Sequence, residues 1–185
     1  MSTRRGAFTL IELLIVVAII AILAAIAIPN LLEAQTRSKV ARARADMRSV
    51  AVGLESYMVD QNRMPPTFEY QGQRPLPDCL TTPVAYITSL ALDPFRTDSD
   101  TVKRRYDYHN VRAYVEANTP SWPPTDLLRY GDWRLMSFGP KGEYQPWMPY
   151  DATNGTVSEG NVLRTQRSPE GRILYTFWDP ANPNI

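Results

Sequence analysis

A chain of 185 residues has room for one modest domain and an accessory segment. Its 20 lysines and arginines nearly balance 19 aspartates and glutamates, so neither nucleic-acid steering nor a polybasic membrane patch is indicated. The single cysteine, Cys79, excludes an internal disulfide, and one histidine is too few for a Cys/His zinc cluster.

Hydrophobicity is unevenly spread. Arg4 and Arg5 precede a stretch from Phe8 to Ile28 whose only charge is Glu12, and from Leu13 to Ile28 no side chain is polar. A membrane-spanning helix needs about 20 apolar residues, which this stretch supplies. The two arginines would keep the amino terminus in the cytoplasm and send the rest of the chain outward. A secretory signal peptide shares the basic start and apolar middle, with Ala25-Ile26-Ala27 as its cleavage site. Two features favour an anchor. A carboxylate deep in an apolar run costs on the order of 2 to 3 kcal/mol, a cost that a disposable signal has no use for. Helix-forming sequence also continues past Pro29 to about Val59, with no glycine before Gly53.

The run Gly6-Ala7-Phe8-Thr9-Leu10-Ile11-Glu12-Leu13-Leu14, with the aliphatic stretch and Pro29, resembles the class III signal of type IV pilins and type II secretion pseudopilins. The resemblance implies that a prepilin peptidase removes a leader of residues 1–7 and that the new terminal residue, Phe8, is methylated on its amine. The family's glutamate lies four residues after that phenylalanine, as Glu12 does here, and its helix-kinking proline matches Pro29. The family usually has glycine directly before the phenylalanine, whereas here Ala7 follows Gly6. Cutting after Gly6 would leave Glu12 one place out of register, which points to the Ala7–Phe8 bond. On this reading 8–29 form a transmembrane helix that later enters a filament core, and 30–185 form a periplasmic globular domain. The implied partners are copies of the chain in a helical filament, the prepilin peptidase and an inner-membrane assembly platform. The implied localisation is the bacterial inner membrane, single-pass, and then a periplasmic filament.

Between Met47 and Met58 apolar residues recur at Met47, Val50, Ala51, Leu54, Tyr57 and Met58, the spacing of one buried helical stripe. Arg37, Lys39, Arg42 and Arg44 read as a solvated helix face or a rim at the lipid headgroups. Met64-Pro65-Pro66 stops the helix. Residues 60 to 100 are loop-rich, with a short helix expected from Val84 to Leu90. Strands are expected around Arg105–Tyr108, Trp133–Phe138, Val162–Arg164 and Ile173–Phe177, which are short, aromatic or β-branched, and bounded by Gly, Pro or Asn. The predicted fold is α+β, a long amino-terminal helix packed on a small antiparallel sheet. Leu80 to Ile87 through Asp93-Pro94-Phe95, and Ser137-Phe138-Gly139-Pro140-Lys141-Gly142, resemble segments of the major pseudopilins.

No catalytic set is visible. His109 reads as a surface residue at a strand end, with no nucleophile to pair with it, and Asp98 and Asp100 as a solvated turn. The loop from Tyr150 to Asn161 offers oxygen donors at Asp151, Asn154, Ser158 and Glu159, a set suited to calcium or, alternatively, to an Asx turn. The resemblance adds weight to calcium, since major pseudopilins bind it in this region, although Lys141 stands where they carry an acidic residue. The function expected is a structural filament subunit of a type II secretion pseudopilus. The alternatives are a type IV pilin for adhesion, motility or DNA uptake, and an anchored periplasmic ligand-binding module with Trp122, Trp133, Trp147 and Trp178 as its platform.

Overall fold

The computed structural model describes residues 9–145, 148–154 and 158–169. Helix α1 runs unbroken from Leu10 to Gln61, and its 52 residues extend for about 80 Å at the usual rise per residue. It continues through Pro29 and stops at Asn62, which takes the left-handed conformation (φ 52°) that asparagine tolerates at a helix end. The prolines that follow cannot resume it.

The rest of the domain is strand β1 (Asp107–Asn110), helices α2 (Val111–Glu116) and α3 (Thr125–Tyr130), and strands β2 (Trp133–Ser137) and β3 (Val162–Thr165). The sheet is antiparallel, in the order β1-β2-β3. Tyr108 lies opposite Leu135, His109 opposite Arg134, and Met136 opposite Leu163. This is the α+β architecture expected, with the helix stripe on the sheet. The strand expected at Ile173–Phe177 lies outside the described residues.

Side chains alternate across the strands, so the sheet has two distinct faces. Tyr106, Tyr108, Trp133, Leu135 and Val162 join Val40, Ala43, Met47, Val50, Leu54 and Tyr57 of α1 in one core. Polar atoms in this core are satisfied. The Tyr108 hydroxyl donates to the Pro65 carbonyl (2.9 Å), Tyr106 donates to Asp46 (3.0 Å), and the Trp133 indole N–H donates to Glu55 (2.8 Å).

His109 corrects the expectation of a surface residue, for it is 1% exposed. It lies on the opposite face of the sheet, which the connection through α2 and α3 folds over. The Trp122 ring stacks on Tyr114 (5.4 Å) and lies 5.2 Å from the His109 ring, and the Arg134 guanidinium sits 4.9 Å above the indole. Trp122 and Trp133 therefore belong to opposite faces, which removes them as neighbours on one ligand platform. Trp147 and Trp178 lie outside the described residues.

The helix expected at Val84–Leu90 is also corrected. A 3-10 turn forms earlier, at Asp78–Leu80, and the amides of Tyr86 and Ile87 both return to the Leu80 carbonyl (3.0 and 3.1 Å). Amides spent on a carbonyl six and seven residues back cannot enter the i to i−4 ladder that a helix over Val84–Leu90 would need. The bend presses Ile87 against α1 at Gly53, where a β-carbon would lie 2.5 Å from the Ile87 methyl. A glycine inside the helix thus has a packing reason.

Candidate functional site

The two halves of α1 meet different surroundings. Its carboxy-terminal half supplies the core stripe beginning at Val40, whereas Leu10, Leu14, Ile20, Ile26, Ile28 and Leu32 are all more than half exposed. Among the described residues, α1 is the one helix long and apolar enough to cross a membrane, and none of its most apolar stretch is buried within the chain. A helix that is apolar all round requires surroundings that are apolar all round.

Thr9 and Glu12 close the start of this helix. The Glu12 carboxylate accepts from the Thr9 amide (2.9 Å) and the Thr9 hydroxyl (2.6 Å), while the Glu12 amide donates to the Thr9 hydroxyl (3.3 Å). This is a reciprocal capping box that satisfies two otherwise unpartnered amides. The Thr-x-x-Glu spacing is itself a capping signature, carried by the sequence beside the charge of Glu12 and its register with Phe8. Gly6, Ala7 and Phe8 lie outside the described residues. Pro29 is exposed on the lateral surface of α1.

The basic run is largely solvated. Arg37 pairs with Glu33 and Arg42 with Asp46, each one turn away, while Lys39 and Arg44 lie about 6 Å from the rings of Phe95 and Tyr150. Asp98 is exposed as expected, with the Arg96 guanidinium 3.8 Å away. Asp100 does more, accepting from the Tyr70 hydroxyl (2.9 Å) and the Val102 amide (2.8 Å).

Beside the start of the α1 core stripe, where Phe95 lies against Lys39, the two segments that resemble the major pseudopilins meet. Asp93, with no exposed surface, accepts from the Phe95 amide (3.0 Å), the Ser137 hydroxyl (2.9 Å) and the Phe138 amide (2.8 Å). Burial pushes its carboxyl upward, and these three hydrogen bonds oppose the shift. The loop between β2 and β3 starts at this junction.

Of the oxygen donors expected for calcium, Asp151 folds back on its own turn, accepting from the amide and hydroxyl of Thr153 (2.9 and 2.7 Å). Ser158 accepts from the Asp151 amide (2.9 Å), and Asn154 ends a 3-10 turn at Ala152–Asn154. Glu159 is drawn away to the Lys141 ammonium, 3.0 Å distant. Among the described residues no three acidic, histidine or cysteine side chains gather where a metal ion could be held. Asp151 and Glu159, the two carboxylates of this donor set, thus face partners of their own within the chain.

Residues 2–28 match the model of the prokaryotic N-terminal methylation motif. The chain is 28% identical to the type II secretion system core protein G of Dickeya chrysanthemi over 160 residues, 86% of this chain and 92% of that one. It is 33% identical to core protein G of Pectobacterium carotovorum over 51% of this chain and 65% of that one. It is also 48% identical to the type IV major pilin protein PilA of Myxococcus xanthus, over 34% of this chain and 28% of the pilin. The chain thus spans less than two thirds of the length of these last two relatives. No solved structure matches it. The methylation motif at its start, one long helix packed on a small antiparallel sheet, and relatives of both kinds make the chain similar to type IV pilins and to the core protein G of type II secretion systems.

Proposed function

We propose that the chain is a structural, non-catalytic subunit of a pseudopilus-like filament serving type II protein secretion. A prepilin peptidase cuts the Ala7–Phe8 bond, and Phe8 is then methylated. Residues 8–29 hold the subunit in the inner membrane until assembly, with residues 30–185 outside the cytoplasm. Assembly on an inner-membrane platform then moves the helix from lipid to the flanks of its neighbours. The observation that carries this reading is the first half of α1, apolar around its circumference from Leu13 to Ile28 and left exposed by the other described residues. At about 25 cal/mol per Å² of apolar surface removed from water, neither lipid nor a bundle of copies leaves that surface costly, whereas water does.

Similarity to core protein G extends over most of the chain, while that to the pilin PilA covers a third of it, which favours secretion over adhesion or motility. The type IV pilin reading keeps the support of the higher identity in that shorter stretch. Intact mass and amino-terminal sequencing of protein extracted from membranes test the proposal. The expected product starts at Phe8 and carries one added methyl group. A product starting at Ile28 would return the chain to the secreted class and overturn the filament reading.

A further inference from the structure

The loop that leaves β2 after Ser137 and returns to β3 is drawn together from within. Gly139 has φ +67°, and a β-carbon there would lie 2.4 Å from the Gly160 carbonyl. One on Gly160 would lie 2.0 Å from the Pro149 carbonyl. Two legs of backbone thus touch at glycines. Between them sits Asn161, with no exposed surface. Its side-chain amide nitrogen donates to the carbonyls of Phe138 (2.7 Å) and Glu143 (2.8 Å), and its oxygen accepts from the Gln145 amide (2.6 Å). Its backbone is fixed as well, accepting from the Tyr150 amide and donating to the Met148 carbonyl, both at 2.8 Å.

On the outside of the same loop Lys141 places its ammonium 3.0 Å from Glu159 and 3.4 Å from Glu143. One positive charge therefore joins carboxylates from the two ends of the loop. These two carboxylates raise the lysine's affinity for its proton, so the ammonium stays charged.

We propose that this loop is closed by the chain's own side chains, Asn161 within and Lys141 outside, in the place where a divalent cation would otherwise tie it, so that the fold does not depend on calcium. A hard cation collects carbonyl and carboxylate oxygens. Here the Phe138 and Glu143 carbonyls are already held by N–H donors, and Glu143 and Glu159 already face a cation that is part of the polypeptide. A metal ion would have to displace both. Lys141 and its partners are largely solvated, so their pairing contributes little energy. Its role is to set the charge of the site, while the buried Asn161 supplies the bracing.

Thermal unfolding of the full chain in detergent, in millimolar calcium and in chelator, tests this, for the wild type and for Lys141→Glu. The wild type is expected to melt at the same temperature in both. The substitution is exposed, so the chain still folds, but a third carboxylate now stands beside Glu143 and Glu159. That variant is expected to melt several degrees lower in chelator and to recover in calcium. A wild-type midpoint that rises by several degrees in calcium overturns the proposal. So does a Lys141→Glu chain whose midpoint ignores calcium, because Lys141 then does not stand in the place of a cation.

Discussion

The first and last thirds of α1 share one helix and one hydrogen-bond ladder, yet among the described residues one third is packed on side chains and the other is exposed. From Val40 onward apolar residues return every three or four positions and polar ones fill the gaps, so a single stripe meets the sheet and the other side meets water. From Leu10 to Ile28 there are no polar gaps beyond Glu12, and hence no side that prefers water. Helix propensity does not separate the two. What separates them is whether the apolar pattern has a direction. A directed stripe is satisfied by one sheet of its own chain, whereas an undirected one needs surroundings supplied by lipid or by other copies.

The comparison is tested most strongly by cutting one leucine from each third. Leu54 has no exposed surface, and Leu54→Ala is expected to lower the unfolding free energy of the full chain in detergent by about 2–5 kcal/mol. Leu14→Ala, at an exposed position, is expected to leave the denaturant midpoint of the domain unchanged. Equal losses from both would mean that the exposed third packs on its own domain.

A smaller effect is expected from pH, and it belongs to the second face of the sheet. Burial pulls His109 down from 6.5 to about 4, with the nearby Arg134 acting the same way and Asp107, 2.6 Å from its Nε2, acting against it. That contact is close but not aligned as a hydrogen bond. Between those two values the unfolded chain binds the proton and the folded chain does not. Stability from this residue is therefore whole above 6.5 and declines as pH falls toward 4, by about 1.4 kcal/mol per pH unit at most. Denaturant midpoints should fall on acidification through that window, and less steeply in His109→Gln. Identical slopes would exclude the histidine as the cause.

The helix, its stripe and three of the strands were legible because each carries a periodic pattern long enough to read. Helices α2 and α3 were not, being six residues each, too short to show a period. The burial of His109 is hidden from the sequence for the same reason, since its cover comes from the segment those helices build. Asn161 gave no signal either. Its five hydrogen bonds reach residues up to 23 positions away, and nothing local in Glu159-Gly160-Asn161 announces them. The cap at Thr9 and Glu12 is the opposite case, a short pattern with a known mechanism that was present in plain view.

The smallest effect on the domain, none, is expected from Glu12, and there the two thirds of the helix differ most in kind. Glu12→Val removes a charge from the apolar third and leaves the core stripe untouched, so the domain should unfold as the wild type does and enter the membrane at least as well. Filament assembly should nevertheless fail. In a bundle of such helices an unpaired carboxylate in a low-dielectric core is strongly unfavourable, and a staggered neighbour can answer it with the amine of Phe8. A single buried polar contact of this kind fixes axial register, as it does in coiled coils. The capping box supplies a competing explanation, because Glu12 also closes its own helix through Thr9. Thr9→Val separates the two. It removes the hydroxyl and weakens the cap, at a cost of about 0.5–2 kcal/mol, but leaves the carboxylate in place. If Glu12 acts between subunits, Thr9→Val should still yield sheared filaments on an immunoblot while Glu12→Val yields few or none. Equal loss from both would assign the residue to helix capping, and normal filament yield from Glu12→Val would remove its role in register altogether.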